Sequence, residues 1–225
     1  TDTDPINLRK PTFYNPWGGS DKGILVAPGD YTVSMSKIVQ GEITELSDPV
    51  SFSVKPLNNA TFPAEDRDEL DEFNRKVLAL SGAVRGAQQT LSEVNNQLRH
   101  IKDAIVRAEI AHSDIYNDVM EFEQKLSDLR VELNSDPVAR TLDIDKPPTV
   151  GNRIGSIVYS LFSSTSAPTQ TNIDGYNIAA EEFPPILEKV RVLVNEDLKA
   201  LHDRLMELGA PYTPYALPGV PEFKN

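Results

Sequence analysis

Apolar residues between positions 70 and 108 recur in alternating steps of three and four. This spacing keeps a narrow apolar stripe on one face of an α-helix, and it is typical of a helix that packs lengthwise against another helix. The stripe, called the heptad seam below, consists of Leu70, Phe73, Val77, Leu80, Val84, Ala87, Leu91, Val94, Leu98, Ile101, Ile105 and Ala108. We therefore predict one long helix over about residues 64–110, with the heptad seam as its packing surface.

Charged residues at the two ends of this segment favour the same helix. Six acidic residues lie in the segment 65–72, and basic residues near the other end are Arg99, His100, Lys102 and Arg107. Acidic side chains stabilise the start of a helix and basic side chains its end, because the peptide dipoles align along the helix axis. A calcium loop is the alternative interpretation of the acidic run, but the run lacks the glycine and the ligand spacing of such a loop.

Further apolar stripes predict three more helices, over about residues 113–134, 150–163 and 171–209. The helices over about 64–110 and 113–134 are joined by a short connection, which predicts an antiparallel helical hairpin. Residues 135–150 are predicted as a loop, because Pro147 and Pro148 are incompatible with a helix there.

The last of these stripes has two irregular features. Its apolar positions from Phe183 to Leu208 follow the steps 4-3-4-4-3-4-3, and the extra four is a stutter that predicts a local relaxation of the supercoil. Pro184 and Pro185 lie inside the pattern, and each lacks the N–H donor that a helix interior uses. We therefore predict a kink or a new helix start near residue 184.

Residues 23–56 have a different period, since apolar and polar side chains alternate. Tyr31, Val33 and Met35 alternate with hydroxyl residues, and a second alternating run ends at Val54. This pattern is typical of half-buried antiparallel strands, and we predict three or four strands with a turn at residues 40–42. An immunoglobulin-like sandwich needs about seven strands, so the segment resembles half of such a module.

Strand-like and helix-like sequence are therefore segregated along the chain, which predicts the α+β class. We predict a small antiparallel β-sheet fragment, half of an immunoglobulin- or fibronectin-like module, followed by a mainly antiparallel helical bundle with a long helical hairpin. The predicted divisions are a β segment over 1–56, a linker over 57–63, the helical bundle over 64–209 and an extended proline-rich tail over 210–225.

Composition narrows the range of functions. The chain has 225 residues, with 34 acidic against 22 basic ones and a formal charge of −12. This charge disfavours binding to nucleic acid or to an anionic membrane surface. The sequence contains no apolar run long enough to predict a membrane span. It also contains no cysteine, which excludes disulfides and cysteine-ligated zinc.

Residues that carry chemistry do not fall into a recognisable pattern. The three histidines, at positions 100, 112 and 202, have no partner at metal-binding or catalytic spacing. Asp143 and Asp145 lack a further ligand nearby, so we predict solvated loop acids there. Tyr14 and Trp17 are candidate surface-contact residues for a ligand, but packing over the edge of the sheet is the interpretation that we favour. We therefore predict no catalytic residue, no cofactor and no metal site.

Several stretches nevertheless resemble a known family. Asn7-Leu8-Arg9 followed by residues 23–33, GILVAPGDYTV, is similar to the family segment NLRY … G-x-L-V-x-PGTYTV, and residues 50–56 are similar to its last strand. The order of the later segments also resembles its helical tail, namely 145–148, 151–162, 167–169 and 195–209. The family is the C-terminal region of exported bacterial proteins with a sortilin-like or BNR/Asp-box β-propeller, often labelled glycosyl hydrolases.

The resemblance implies a location and a role. The chain would be the accessory end of a longer exported, periplasmic, cell-surface or extracellular protein, and any hydrolytic site would lie on the absent propeller. Pro184 and Pro185 depart from the family pattern. We expect a non-catalytic rigid arm, whose partner is the upstream propeller, another protein or a second copy. The alternatives are a cytosolic coiled-coil adaptor or oligomeriser and an accessory part of a carbohydrate-active hydrolase.

Overall fold

The computed structural model describes residues 25–57, 61–108, 114–161 and 164–214. Two antiparallel strands come first, namely β1 (Gly29–Val39) and β2 (Glu42–Val54). The helices that follow are α1 (Arg67–Arg107), α2 (Ile115–Asn134), α3 (Pro137–Thr141), α4 (Val150–Leu161), α5 (Gln170–Val192) and α6 (Leu198–Glu207), and a π-helical turn over Leu193–Asp197 joins α5 to α6. The predicted α+β class is confirmed.

The helices form a rod that is three helices wide. One position is occupied by α1, which is about 60 Å long at 1.5 Å per residue. A second position is occupied by α5, the π-turn and α6 in succession. These run parallel to α1, since Phe73 near the start of α1 packs edge-on against Tyr176 near the start of α5, with ring centroids 5.8 Å apart.

The third position of the rod is shared by α2 and α4, which both run antiparallel to α1. Gln88 in the middle of α1 donates a 2.5 Å hydrogen bond to Asn134 at the end of α2, and Gly151 of α4 lies against the same two side chains. The first turn of α4 therefore lies beside the last turn of α2. The predicted helical hairpin of α1 and α2 is present, but it covers only the C-terminal half of α1.

Ion pairs between helices show the same directions. Glu132, Lys125 and Asp118 of α2 pair with Lys189 at 2.7 Å, with Asp197 at 3.0 Å and with Arg204. Residue numbers fall on one side as they rise on the other, so α2 is antiparallel to α5 and α6. Such exposed pairs each contribute about 1 kcal/mol or less, so they set register more than stability.

The core is a continuous apolar column along the axis of the rod. Each fully buried aliphatic side chain contributes about 1.5–3 kcal/mol relative to exposure, so this column supplies most of the stability. Its residues outside α1 are mainly Ile115, Val119, Phe122, Leu126, Leu129 and Leu133 in α2, Val150, Ile154, Ile157, Val158 and Leu161 in α4, and Phe183, Ile186, Val190, Leu193, Leu198, Leu201 and Leu205 in α5, the π-turn and α6.

The π-turn lies where the apolar stripe contains its extra step. Buried residues are spaced by three or four along α5 and α6, except between Leu193 and Leu198, which are five apart. The wider turn takes up one additional residue, so the apolar faces of α5 and α6 both remain directed at the core.

The two prolines in α5 do not start a new helix. Pro184 and Pro185 lie inside the helix, and both are exposed. A proline deprives the carbonyl four residues earlier of its N–H donor, and on the outer face of the rod water can replace that donor. Of the two predicted alternatives, the new helix start near residue 184 is therefore wrong, and the kink stays a prediction.

The segment predicted as a loop over 135–150 contains α3, so that prediction is wrong at residues 137–141. The Asp136 carboxylate accepts hydrogen bonds from the N–H groups of Val138 and Ala139, and Pro137 occupies the first turn. Lys146 lies 2.8 Å from Asp136. Its hydrogen bond and those from the backbone lower the pKa of Asp136.

The sheet has two strands in the part of the chain that the structure describes, and not the predicted three or four. The register shifts twice, since Val33 faces Val50 but Met35 faces Ser47 and Ser36 faces Glu45. The residues after the turn at 40–42, which were predicted to form more than one strand, thus form the single strand β2. This strand continues through both register shifts. Pro49 lies at the first of them, where its missing N–H is tolerated.

Candidate functional site: the surface of the β-hairpin

The β-hairpin formed by β1 and β2 exposes apolar side chains along its whole length. Apart from the half-buried Tyr31 and Val54, every residue of the two strands is exposed. The larger apolar ones are between 49% and 70% exposed and are together called the hairpin surface, namely Val33, Met35, Ile38, Val39, Ile43, Leu46, Val50 and Phe52. Soluble monomers rarely leave a contiguous apolar area of this kind open to water.

Two cross-strand pairs form the half of the hairpin nearest the rod. Tyr31 faces Phe52, and Val33 faces Val50. The rings of Tyr31 and Phe52 stack with centroids 6.0 Å apart. Residues two apart on a strand share one face, so these four side chains form one apolar strip. The Tyr31 hydroxyl donates to the carbonyl of Ala27 at 2.7 Å, which ties the strip to the chain before β1.

The other half of the hairpin carries a third pair, Ile38 and Ile43, both 70% exposed. Alternation along β1 places Ile38 on the face opposite to Val33, so each face of the hairpin carries apolar side chains. Gln40 and Gly41 form the turn with φ angles of 52° and 86°. Positive φ at both central residues is the geometry of a type I′ turn, which suits the twist of a two-residue hairpin.

A hairpin of this kind lacks the usual sources of stability. An isolated two-stranded hairpin is marginal in water, and a third strand or a packed helix is normally required. Within the described ranges, β1 and β2 form a ladder only with each other, so each strand also presents an unpaired edge. Its faces and edges together make the hairpin the strongest candidate for an interaction surface.

The predicted seam residues lie elsewhere, inside the rod. Leu70, Phe73 and Leu80 are half-buried. The other seam residues predicted as an interaction surface are buried, namely Val77, Val84, Leu91, Val94, Leu98, Ile101 and Ile105. Helices of the same chain cover them, so the seam serves internal packing in this structure. Tyr14 and Trp17 lie outside the described residues.

The polar residues considered for chemistry are dispersed. His100, Asp143 and Asp145 are exposed, and His112 lies outside the described residues. The acidic run spans the start of α1 and includes its cap, since Asp66 accepts hydrogen bonds from two backbone N–H groups at 2.9 and 3.0 Å. In the ranges that the structure covers, no three potential ligands from His, Cys, Asp or Glu group together as a metal site.

His202 of α6 is half-buried under the chain that follows this helix. The N–H of Ala210 donates to the carbonyl of Leu205 at 3.0 Å, and the Thr213 hydroxyl lies 3.4 Å from Nδ1 of His202. Its Nε2 is buried and has no hydrogen-bond partner among the described residues. Burial lowers the pKa of His202, because the charged imidazolium is desolvated, and the Asp203 carboxylate opposes this effect.

We expect His202 to make the fold sensitive to acid. The unfolded chain binds a proton at His202 at higher pH than the folded chain, so stability is lost as pH falls through about 6.5 and then through the lower folded pKa. The urea midpoint should therefore fall between about pH 7.5 and about pH 5.5, and the fall should be smaller in His202→Gln. His100→Gln, which changes an exposed histidine, is the matched control. Equal pH dependence in both variants would contradict this role of burial.

Similarity to known proteins offers no further guide to the hairpin surface. Comparisons of the chain with protein-family models, with curated proteins and with solved structures found no match. Among the helices described, none combines the length and apolar character that a bilayer crossing requires.

Proposed function

We propose that this chain is a non-catalytic structural and interaction module at the C-terminal end of a longer exported β-propeller protein. The exposed hairpin surface is the observation that carries the proposal, because its apolar side chains need a covering partner. The three-helix rod serves as a stiff arm, and the hairpin at one end of it is the contact. The proposed position of the chain next to a propeller is based on the resemblance of residues 7–9, 23–33 and 50–56 to the C-terminal region of exported β-propeller proteins.

The contact has a simple physical form. A partner that offers an edge strand extends the two-stranded sheet by backbone hydrogen bonds, and apolar residues beside that strand cover the hairpin surface. Specificity then comes from the alternating pockets for side chains such as Val33 and Phe52. The net charge of −12 limits non-specific association of the arm.

We expect the hairpin to become protected only in the longer protein. In hydrogen–deuterium exchange of the isolated chain, residues 29–54 should exchange much faster than residues 67–107, because no described element covers either face of the hairpin. In the longer protein the exchange of the hairpin should slow by about tenfold or more, while that of α1 stays the same. The helix is thus the internal control.

Two results would contradict the proposal. One is a hairpin that is as well protected in the isolated chain as α1, since it would then need no partner. The other is a sequence ahead of Thr1 that contains no repeated propeller blades. If the hairpin stays unprotected in the longer protein, the propeller does not cover it, and its partner is a separate molecule.

The oligomeriser alternative depends on the heptad seam. That seam is largely buried within one chain, so a coiled-coil contact through Leu91 or Leu98 would require the rod to open. Size-exclusion chromatography with light scattering distinguishes the rigid arm from the oligomeriser. A mass near 24.9 kDa supports an internally satisfied rod, and a concentration-independent dimer supports the oligomeriser.

A further inference from the structure

The two edges of the β-hairpin differ in how readily they can accept a further strand. β1 has 11 residues and β2 has 13. At each of the two register shifts, β2 advances by one residue more than β1, so both extra residues lie in β2. An extra residue bends the strand that contains it and interrupts its pairing. The outer edge of β2 is therefore bent at two places, whereas β1 presents a regular edge.

Sequence features protect the β2 edge further. Pro49 has no N–H to donate, and the three charged residues of β2 are all acidic. Bulges, prolines and charged side chains are the usual means by which an exposed edge avoids pairing with another strand. β1 contains no proline, and its charged residues, Asp30 and Lys37, have opposite signs. Of the two edges, β1 is thus the one open to a partner strand.

The turn determines which backbone groups of β1 point away from β2. In a two-residue turn, the N–H of Glu42 donates to the carbonyl of Val39, so these two residues form a hydrogen-bonded pair. Hydrogen-bonded and non-hydrogen-bonded pairs alternate along an antiparallel ladder. The odd-numbered residues of β1 therefore direct their backbone groups at β2. The even-numbered ones, Thr32, Ser34 and Ser36 among them, direct theirs at the open edge.

The side chains of β1 define what kind of strand fits this edge. Tyr31, Val33 and Met35 lie on one face, and hydroxyl residues alternate with them on the other. A fitting strand therefore carries apolar and polar residues in alternation. Asp30 and Lys37 are exposed near opposite ends of β1. A basic residue opposite Asp30 and an acidic residue opposite Lys37 complete the match.

We propose that the partner covering the hairpin is an extended polypeptide segment that adds an antiparallel strand to the open edge of β1. Its apolar side chains lie beside those of Tyr31, Val33 and Met35, and its charged residues face Asp30 and Lys37 with opposite sign. Its backbone bonds to the outward N–H and C=O groups of β1. Antiparallel pairing is favoured, because it is the more stable arrangement per residue. This docking mode rests on the proposed function, since it specifies how the hairpin is covered.

Two synthetic peptides of the same composition test this edge in the whole 225-residue chain. The matched peptide, Val-Thr-Glu-Thr-Val-Thr-Val-Thr-Val-Lys-Val, is as long as β1. Paired antiparallel from end to end, it places its acidic residue opposite Lys37 and its basic residue opposite Asp30. In the control peptide the acidic and basic residues are exchanged. We expect the control to bind with about threefold or higher Kd in NMR titrations, because two opposite-charge pairs become two like-charge pairs.

Two proline variants identify the edge. Thr32 and Ser51 face each other, and the N–H group of each points to the open edge of its own strand. Thr32→Pro should raise the Kd of the matched peptide about tenfold or more, since a donor is lost and the ring obstructs the edge. Ser51→Pro should leave this Kd unchanged. Nuclear Overhauser contacts between the rings of Tyr31 and Phe52 show that the hairpin is intact in each variant.

The unaltered chain gives a measurement that needs no substitution. The matched peptide should shift the backbone amides of Ser34 and Ser36 more than that of Ser53. The docking mode is overturned if this peptide gives no saturable shifts in β1, if the control peptide binds equally well, or if Ser51→Pro weakens binding as much as Thr32→Pro. The proposed function is tested by exchange in the longer protein, so a hairpin that is protected there while the peptide fails to bind would reject this docking mode alone.

Discussion

Replacing Leu91 with aspartate should lower the free energy of unfolding by about 4 kcal/mol or more. Leu91 lies in the middle of α1, is 1% exposed and belongs to the core of the rod. The substitution removes a large apolar side chain and places a carboxylate in the apolar core. Urea denaturation followed by circular dichroism at 222 nm measures the effect.

Gln89→Asp is the matched control for this substitution. Gln89 is exposed, two residues away on the same helix, so the new carboxylate is hydrated there. Only the lower helix propensity of aspartate remains, which costs about 0.5 kcal/mol. If both variants lose the same free energy, Leu91 is not in a packed core, and the rod described here is wrong.

The long helix was predictable because its signal is local. The three-four spacing of the heptad seam depends only on helix geometry, and charges at residues 65–72 mark the start of the helix. The α3 helix also has a local signal, since an aspartate followed by proline is a typical helix start, as at Asp136 and Pro137. The loop prediction for residues 135–150 was based on Pro147 and Pro148, which exclude a helix only in their own neighbourhood and not at residues 137–141.

The arrangement of the helices was not predictable in the same way. Apolar stripes show which face of a helix is buried, but they do not show which helix covers it. The sharing of one position by α2 and α4 depends on contacts of Gly151 with residues from two other helices. A glycine in a helical pattern carries no sign of such a contact in the sequence.

The hairpin shows where a correct local pattern and the structure diverge. The alternation of Tyr31, Val33 and Met35 predicts a strand with one buried face, and the strand is present, but the structure leaves both its faces exposed. A pattern that predicts burial without a covering element in the described residues is what one expects at an interaction surface.

Gly151→Ala should destabilise the rod by about 1–3 kcal/mol, although alanine is the better helix former. A Cβ atom at Gly151 would lie 2.7 Å from the backbone carbonyl oxygen of Leu133 and 3.0 Å from Nε2 of Gln88. The side chain of Gln88 can move, but the carbonyl is held by the packing of α2. The start of α4 must therefore shift away from the end of α2, which also disturbs the 2.5 Å hydrogen bond between Gln88 and Asn134.

Gly155→Ala, one turn further along α4, is the control that isolates this contact. Apart from the adjacent backbone of α4, no atom of the described residues lies within 4 Å of a Cβ built at Gly155, so alanine there should stabilise the helix by about 0.5–1 kcal/mol. Thermal unfolding should therefore give shifts of opposite sign, each about 2–4 °C per kcal/mol for a chain of this size. If both variants melt at higher temperature, α4 does not begin against the end of α2. The rod would then not be three helices wide along its whole length, because its third position depends on that junction.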